Sequence, residues 1–150
     1  MKIEKDYEEF LKLLNKNKVK YVIVGAFALA LYSNPRYTKD LDIFVEPAVE
    51  NGKRLLKVLN EFGFKNLELK EEDFTVKNQI IQLGYEPVRI DLMTSIPGCS
   101  FEEVWNNKIA EKYGRTRVYF IGKRELIKSK KASGRKQDIA DLELLEKTEI

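Results

Sequence analysis

The segment Asp40–Val45 restricts the fold more than any other part of the chain, because its residues alternate in a strict period of two. This is the period of a β-strand, in which successive side chains point to opposite faces. One face would carry Leu41 with other apolar side chains, and the opposite face would carry Asp40 and Asp42. The segment therefore predicts a strand on which two carboxylates lie side by side, roughly 7 Å apart at the backbone.

The two carboxylates have two interpretations. Like charges on one strand face repel each other and lose hydration unless a cation lies between them, which favours a metal site at Asp40 and Asp42. A pair of exposed acids at a strand edge is the other interpretation. The chain has no histidine and one cysteine, so histidine general bases, Ser-His-Asp triads and zinc sites built from these residues are excluded. Any metal would have oxygen ligands, which favours Mg²⁺, Mn²⁺ or Ca²⁺.

A second alternating segment, Val88–Met93, carries a third acid, Asp91. Arg89 shares its face, so a surface pair between Asp91 and Arg89 is one interpretation. If this strand lies beside the first, Asp91 joins the other two acids. Three carboxylates can hold two Mg²⁺ ions about 3.5 to 4 Å apart, the spacing used for in-line attack at phosphorus.

Gly25 stands between an apolar β-type run at 21–24 and an Ala/Leu-rich segment at 26–32 that is typical of a helix. Glycine permits the backbone to approach a ligand closely. The N-terminus of the following helix would offer N–H groups and a positive dipole end to a phosphate. An ordinary tight turn from strand to helix explains the same residues, and a single glycine does not distinguish the two.

Periodicity along the rest of the chain indicates the fold class. Helices are predicted near 4–17, 55–62, 101–107, 123–132 and 137–147, and further strands at 74–83 and 117–121. The order predicts one α/β (α+β) domain over residues 1–150, with a mixed sheet of about four to five strands flanked by helices. The C-terminal helices, at about 123–147, belong to this domain.

The charge distribution bears on partners and location. Positions 123–136 hold seven basic residues and one acid, whereas the formal net charge of the whole chain is only +3. Such a strip is typical of a solvated helix face, or it attracts a polyanion such as triphosphate or RNA. The N-terminus is unlike a signal peptide, and the longest apolar stretch, near 21–32, is too short to cross a bilayer. We therefore expect a cytoplasmic protein without a membrane partner.

Three motifs, in this order, are similar to a known family: VGAFAL at 24–29, RYTKDLDI at 36–43 and RIDL at 89–92. They resemble the DNA polymerase beta-like nucleotidyltransferase superfamily, and most of all its small prokaryotic minimal members, the MNT-like and AbiEii-like nucleotidyltransferases. The segment ELIKSKKASGRKQD at 125–138 is similar to their C-terminal part, so the resemblance covers nearly the whole chain. The family commonly has Gly-Gly or Gly-Ser where this chain has Gly25-Ala26, which lacks the serine hydroxyl.

The resemblance implies a nucleotidyltransferase fold and a catalytic site. Asp40, Asp42 and Asp91 would be the catalytic residues and the ligands of Mg²⁺ (or Mn²⁺). Asp91 would also help to activate the acceptor hydroxyl.

The resemblance also implies a nucleotide-binding set. Its members are Gly25 and Ala26 through their backbone, Arg36 and Thr38 beside the metal site, and Lys130 and Arg135 towards the nucleotide or the acceptor. The last two have another interpretation, because Asp138 and Asp141 could pair with them at a helix N-terminus, where acids are favoured.

The function implied by the resemblance is transfer of an NMP from an NTP, expected to be ATP, to a hydroxyl of a protein, an RNA or a small molecule. Small domains of this type often form one half of a toxin–antitoxin pair, so a HEPN-type protein or another toxin is an expected partner. The alternative is a non-catalytic interaction module, or a nucleotide- or RNA-binding module, of such a pair. The missing serine hydroxyl and the basic strip favour this alternative, whereas the three aspartates favour an enzyme.

Overall fold

Strands and helices follow each other closely along the chain in the computed structural model, which describes residues 3–33, 40–64, 68–85 and 87–147. The helices are α1 Lys5–Lys16, α2 Gly25–Tyr32, α3 Val49–Phe62, α4 Phe101–Asn106, α5 Lys123–Ser133 and α6 Lys136–Lys147. The strands are β1 Tyr21–Val24, β2 Asp40–Val45, β3 Ile80–Tyr85, β4 Val88–Met93, β5 Ile109–Tyr113 and β6 Thr116–Phe120. A short 3₁₀ helix, Glu71–Phe74, lies between α3 and β3.

The strands form one mixed sheet in the order β3-β4-β2-β1-β6-β5. Strand β2 runs parallel to β4 and antiparallel to β1, and β1 runs parallel to β6. Two antiparallel hairpins, β3–β4 and β5–β6, complete the edges. The predicted class, a mixed sheet flanked by helices, is confirmed.

The predicted number of strands was too low, because the described residues form six. Strand β5 was missed since residues 110–112 are exposed at the edge of the sheet and leave no apolar alternation in the sequence. The strand predicted at 74–83 was misplaced: Phe74 is buried in the 3₁₀ helix, and β3 begins at Ile80. Helix α3 begins before the predicted residue 55, because its first turns bury Asn51 and Gly52 rather than large apolar side chains.

The apolar face of β2 lies in the core, where Leu41 and Ile43 are fully buried. Burial of each such side chain stabilises the fold by about 1.5–3 kcal/mol. The side chain of buried Asn51 ties α3 to the sheet: it accepts a hydrogen bond from Lys20 N (2.8 Å) and donates to the carbonyls of Lys20 (3.0 Å) and Glu46 (3.1 Å). These contacts join the residue before β1 to the residue after β2, and the opposite end of this strand pair carries Gly25 and Asp42.

No helix among the described residues has both the length and the apolar character required to cross a membrane.

Candidate active site

Gly25 forms the turn from β1 into α2 and lies against the carboxylate of Asp42. Its φ of +68° is in the left-handed region that favours glycine. A Cβ at this position would lie 2.9 Å from Asp42 Cβ and would overlap Asp42 Oδ2. Glycine is therefore needed here for both its conformation and its size. The close approach places a carboxylate beside the first turn of α2, whose N-terminus has no side-chain cap.

Strand β4 lies directly beside β2, with Asp42 opposite Asp91 and Asp40 opposite Arg89. Register partners in adjacent strands point to the same face of a sheet, and so do residues two apart on one strand. The side chains of all three aspartates therefore lie on the same face of the sheet. Asp91 is buried and Asp40 is half-buried, so this acidic face is partly removed from water.

Arg89 neutralises part of this acidic face. Its Nε and Nη2 donate to Asp91 Oδ1 and Oδ2, each at 3.0 Å, in a bidentate pair. Its Nε also lies 3.7 Å from Asp40 Oδ2. The surface pair between Arg89 and Asp91 that the sequence allowed is present. A cation approaching Asp91 would compete with this guanidinium.

Asp42 is the aspartate whose charge is least compensated. Burial and, to a smaller extent, the charges of Asp91 and Asp40 together raise its pKa to about 7, against the opposing effect of Arg89 and Lys130. The carboxyl therefore keeps its proton to a higher pH than an ordinary aspartic acid does. An environment that holds a proton this tightly would also favour a metal cation at the same place.

A divalent cation fits the donor chemistry of this face, which offers only oxygen ligands and excess negative charge. No three acidic side chains among the described residues, however, are close enough together to form a ready metal-binding group. One of the three carboxylates, that of Asp91, is held by Arg89. The assignment of Asp40, Asp42 and Asp91 as metal ligands stays a prediction.

A cleft of about 150 Å³ opens beside Gly25 and Asp42. Its opposite wall comes from α5, the loop after it and the start of α6, including Lys130, Arg135 and Asp138. Two residues predicted from opposite ends of the chain for nucleotide contact, Gly25 and Lys130, therefore line one cleft. The packing of α5 and α6 on α2 brings these two residues, which are distant in sequence, to the same cleft.

Both basic residues in this cleft form ion pairs. Lys130 Nζ lies 2.8 Å from Asp141 Oδ2 and 3.4 Å from Asp138 Oδ1, with its side chain 12% exposed. Arg135 Nε lies 2.9 Å from Asp138 Oδ2, but its side chain is 77% exposed. The predicted pairing with Asp138 and Asp141 is thus present. Lys130 is held in place, whereas Arg135 has room to turn towards a ligand.

The remaining predicted site residues are placed as follows. Ala26 is half-buried in the first turn of α2, next to Gly25. Arg36 and Thr38 lie outside the described residues. Two hydroxyls that line the cleft, those of Ser129 and Ser133, were not predicted from the sequence. Their i, i+4 spacing on α5, around Lys130, was the signal that could have identified them.

The sequence matches the model of a protein family described as "Nucleotidyltransferase of unknown function (DUF6036)" over residues 2–147. The chain belongs to this family. It is a nucleotidyltransferase, as the motifs around Gly25, Asp42 and Asp91 predicted. The family match does not separate the MNT-like and AbiEii-like subtypes, so this finer assignment stays a prediction.

Solved structures show the same fold. The nucleotidyltransferase is similar to the lincomycin-bound lincosamide antibiotic adenylyltransferase LnuA, with 18% identity, a TM-score of 0.61 and 96% of each chain covered. It is also similar to a predicted nucleotidyltransferase from Thermotoga maritima, with 16% identity and a TM-score of 0.64, over 95% of this chain and 93% of that one. No curated protein sequence matches it significantly. At these identities the likeness concerns the fold.

Proposed function

We propose that this nucleotidyltransferase moves an NMP from an NTP, expected to be ATP, to a hydroxyl acceptor at the face formed by Asp40, Asp42 and Asp91. One observation carries the proposal: Asp42 lies against Gly25 at the start of α2 and is also the register partner of Asp91. A phosphate held at the first turn of α2 would therefore lie beside the acids that activate the acceptor.

The phosphates of the NTP would bind at the N-terminus of α2. The N–H groups of Gly25 and Ala26 point from an N-terminus without a side-chain cap, where the helix dipole favours an anion. Lys130 and Arg135 add positive charge from the opposite wall of the cleft. Because Arg135 is exposed, it is the one that can close over a bound triphosphate.

Asp40, Asp42 and Asp91 would hold Mg²⁺ or Mn²⁺. A bound ion would acidify the acceptor hydroxyl and neutralise the pyrophosphate leaving group. Asp91 would take the proton of the acceptor hydroxyl as its oxygen bonds to the α-phosphorus and the bond to pyrophosphate breaks. Arg89 would have to release Asp91 for this role, and Asp40 lies within reach to receive the guanidinium.

The experiment that tests this function is incubation of the protein with each α-labelled NTP and Mg²⁺ in three arms. The acceptors are total protein, total RNA and a small-molecule set that includes lincomycin, the ligand of the fold-similar adenylyltransferase. We expect label transfer in one arm, strongest with ATP, and none with Asp42→Asn. Absence of transfer from every NTP in every arm would contradict the proposal.

A role in a toxin–antitoxin pair, with a HEPN-type or other toxin partner, is the second proposal. The edge strand β3 supports it, because Ile80 and Tyr85 are 70% and 85% exposed there. Large apolar side chains on an open strand edge favour association with another chain. A stable complex with one partner purified from the source cells, without transfer activity, would favour this non-catalytic module.

A further inference from the structure

A second groove, which we call the basic groove, lies at the end of β1 remote from Gly25. It has a volume of about 550 Å³ and a lining that includes Lys18, Lys20, Arg54, Arg117, Trp105 and Tyr119. Strand β1 separates it from the catalytic cleft, since four strand residues span roughly 13 Å. The basic groove is therefore not part of the nucleotide site proposed above.

The lining of the basic groove concentrates positive charge. Four of its residues are cationic and none of the described lining residues is acidic, although the whole chain has a formal net charge of only +3. Lys20 Nζ lies 3.7 Å from Glu46, and no other of the four cations has an acid within ion-pair distance among the described residues. Because Lys18, Arg54 and Arg117 are exposed and uncompensated, the basic groove attracts anions.

An aromatic wall borders these cations. The half-buried rings of Trp105 and Tyr119 have centroids 5.7 Å apart. Lys108 Nζ lies 3.7 Å from the centroid of Trp105 and 5.2 Å from that of Tyr119. This lysine adds a further cation to the wall, so apolar surface and positive charge meet along the basic groove.

The backbone around the basic groove is held in place by hydrogen bonds between distant segments. Arg54 Nη1 donates to the carbonyl of Lys18 (3.1 Å), which joins α3 to the turn before β1. Asn15 Nδ2 donates to the carbonyl of Arg117 (2.7 Å), which joins α1 to β6. Cations from three separate segments are thereby arranged before any ligand arrives, which lowers the entropic cost of binding.

We propose that the basic groove binds single-stranded nucleic acid. Cations spread along a groove match a row of phosphates better than one isolated phosphate, and the aromatic wall supplies apolar contact for sugars and bases. An acidic peptide would satisfy the cations but would gain little from Trp105 and Tyr119. Binding here goes beyond NMP transfer and does not depend on Asp42 or on a metal ion.

Trp105 gives a direct measurement, because it is the only tryptophan in the chain. Its fluorescence is followed while oligo(U), oligo(dT) and a poly-glutamate peptide of equal charge are titrated in separate arms without Mg²⁺. We expect both oligonucleotides to change the fluorescence, with log K falling against log salt concentration with a slope of roughly −3 for four phosphates. Comparison of the two oligonucleotide arms shows whether RNA or DNA is preferred.

The variant that tests the site is Lys18→Glu/Arg117→Glu, and its matched control is Lys77→Glu/Arg124→Glu. All four positions are exposed, and both doubles change the net charge equally. We expect the groove variant to bind oligonucleotides about tenfold or more weakly and the control to bind like the wild type. Lys18→Gln/Arg117→Gln should show an intermediate loss, and its thermal midpoint reports whether the fold is retained.

Three results would each overturn the inference: no fluorescence change with either oligonucleotide at low salt, equal losses in the groove and control variants, or poly-glutamate binding as tightly as the oligonucleotides. None of these depends on NTP turnover, so they are distinguishable from a failure of the transferase assay.

Discussion

Asp42 and Asp91 are register partners across the parallel pairing of β2 and β4, and their side chains leave the same face of the sheet. The two acids are 49 positions apart in numbering, from 42 to 91, yet the charge of Asp91 raises the pKa of Asp42. Opposite Asp42, on the antiparallel side of β2, the chain turns at Gly25 into α2. The proposed phosphate site and the acidic face are therefore neighbours in the fold.

The first prediction concerns catalysis by Asp42. Asp42→Asn keeps the size of the side chain but removes its negative charge, so NMP transfer should fall by roughly 10³-fold or more, as expected when an electrostatic term of about 4 kcal/mol is lost. The measurement is initial transfer rate with saturating NTP and the acceptor found in the three-arm assay. Asp6→Asn, the same change at an exposed helix position, is the control and should retain activity. A wild-type rate for Asp42→Asn would refute the catalytic role.

The second prediction concerns pH and stability in the absence of metal. The pKa of Asp42 is about 7 in the folded protein against 3.8 as the ordinary value, so the folded state binds this proton more tightly than the unfolded state. Its contribution to stability is complete below about pH 4 and is lost as the pH rises to about 7. At pH 8 in EDTA, Asp42→Asn should therefore unfold at a higher temperature, by a gain of roughly 1–3 kcal/mol.

Asp138 provides a control, because its pKa is lowered in the folded protein whereas that of Asp42 is raised. Burial would raise its pKa, but hydrogen bonds from Arg135 and Ser133 and the charge of Lys130 lower it to about 2. Its contribution is present above about pH 4 and lost as the pH falls towards 2, so Asp138→Asn should lower the thermal midpoint at pH 8. Thermal unfolding of both variants at pH 4, 6 and 8 checks whether the two thermal midpoints change in opposite directions relative to the wild type. A lower midpoint for Asp42→Asn at pH 8 would contradict the electrostatic account of the site.

The third prediction concerns the turn at Gly25. Gly25→Val, or Gly25→Ala, would introduce a Cβ that overlaps the Asp42 carboxylate at a positive φ, so both stability and ATP binding should decrease. Gly63→Ala is the matched control, because Gly63 also has a positive φ but a Cβ there meets nothing within 4 Å. It should lose about 1–2 kcal/mol of stability through backbone strain alone.

Calorimetric titration with ATP, with Mg²⁺ and with EDTA, separates these effects. We expect Gly63→Ala to bind ATP like the wild type and the Gly25 variants to bind it much more weakly. Equal ATP affinity for wild type and Gly25→Val, or equal affinity of the wild type in EDTA and in Mg²⁺, would count against the proposed nucleotide site.

The fourth prediction concerns Arg89, which holds Asp91 in a bidentate pair. Arg89→Gln leaves three acids on one face without this cation, so the thermal midpoint of the metal-free protein should fall. Removal of a competing positive charge should at the same time tighten Mg²⁺ binding, by roughly tenfold for about 1.4 kcal/mol. The rise of the thermal midpoint with Mg²⁺ concentration gives the affinity, with Arg124→Gln as an exposed control. Unchanged or weaker Mg²⁺ binding by Arg89→Gln would argue against a metal site that includes Asp91.

The local elements of the site were predictable from the sequence because their signals are local. The alternation of residues predicted both ends of β2 and of β4 correctly, because successive side chains of a strand point to opposite faces. Gly25 marked the turn into α2 in the same way. Hydrophobic periodicity did not predict the segments in which burial follows no simple period. These are β5, whose residues 110–112 are exposed, and the first turns of α3.

The chemistry available to the site was also determined by the sequence alone. A chain without histidine and with one cysteine can offer only oxygen ligands to a hard cation. The alternation of residues along each strand also predicts which face of the strand carries the acids. Only the tertiary structure decided that β4 lies next to β2, that Arg89 holds Asp91, and that Lys130 lines the same cleft as Gly25. The basic groove likewise exists only in the fold, because its cations come from separate segments. Strand order and helix packing depend on how the whole core is buried, and no short stretch of sequence contains that information.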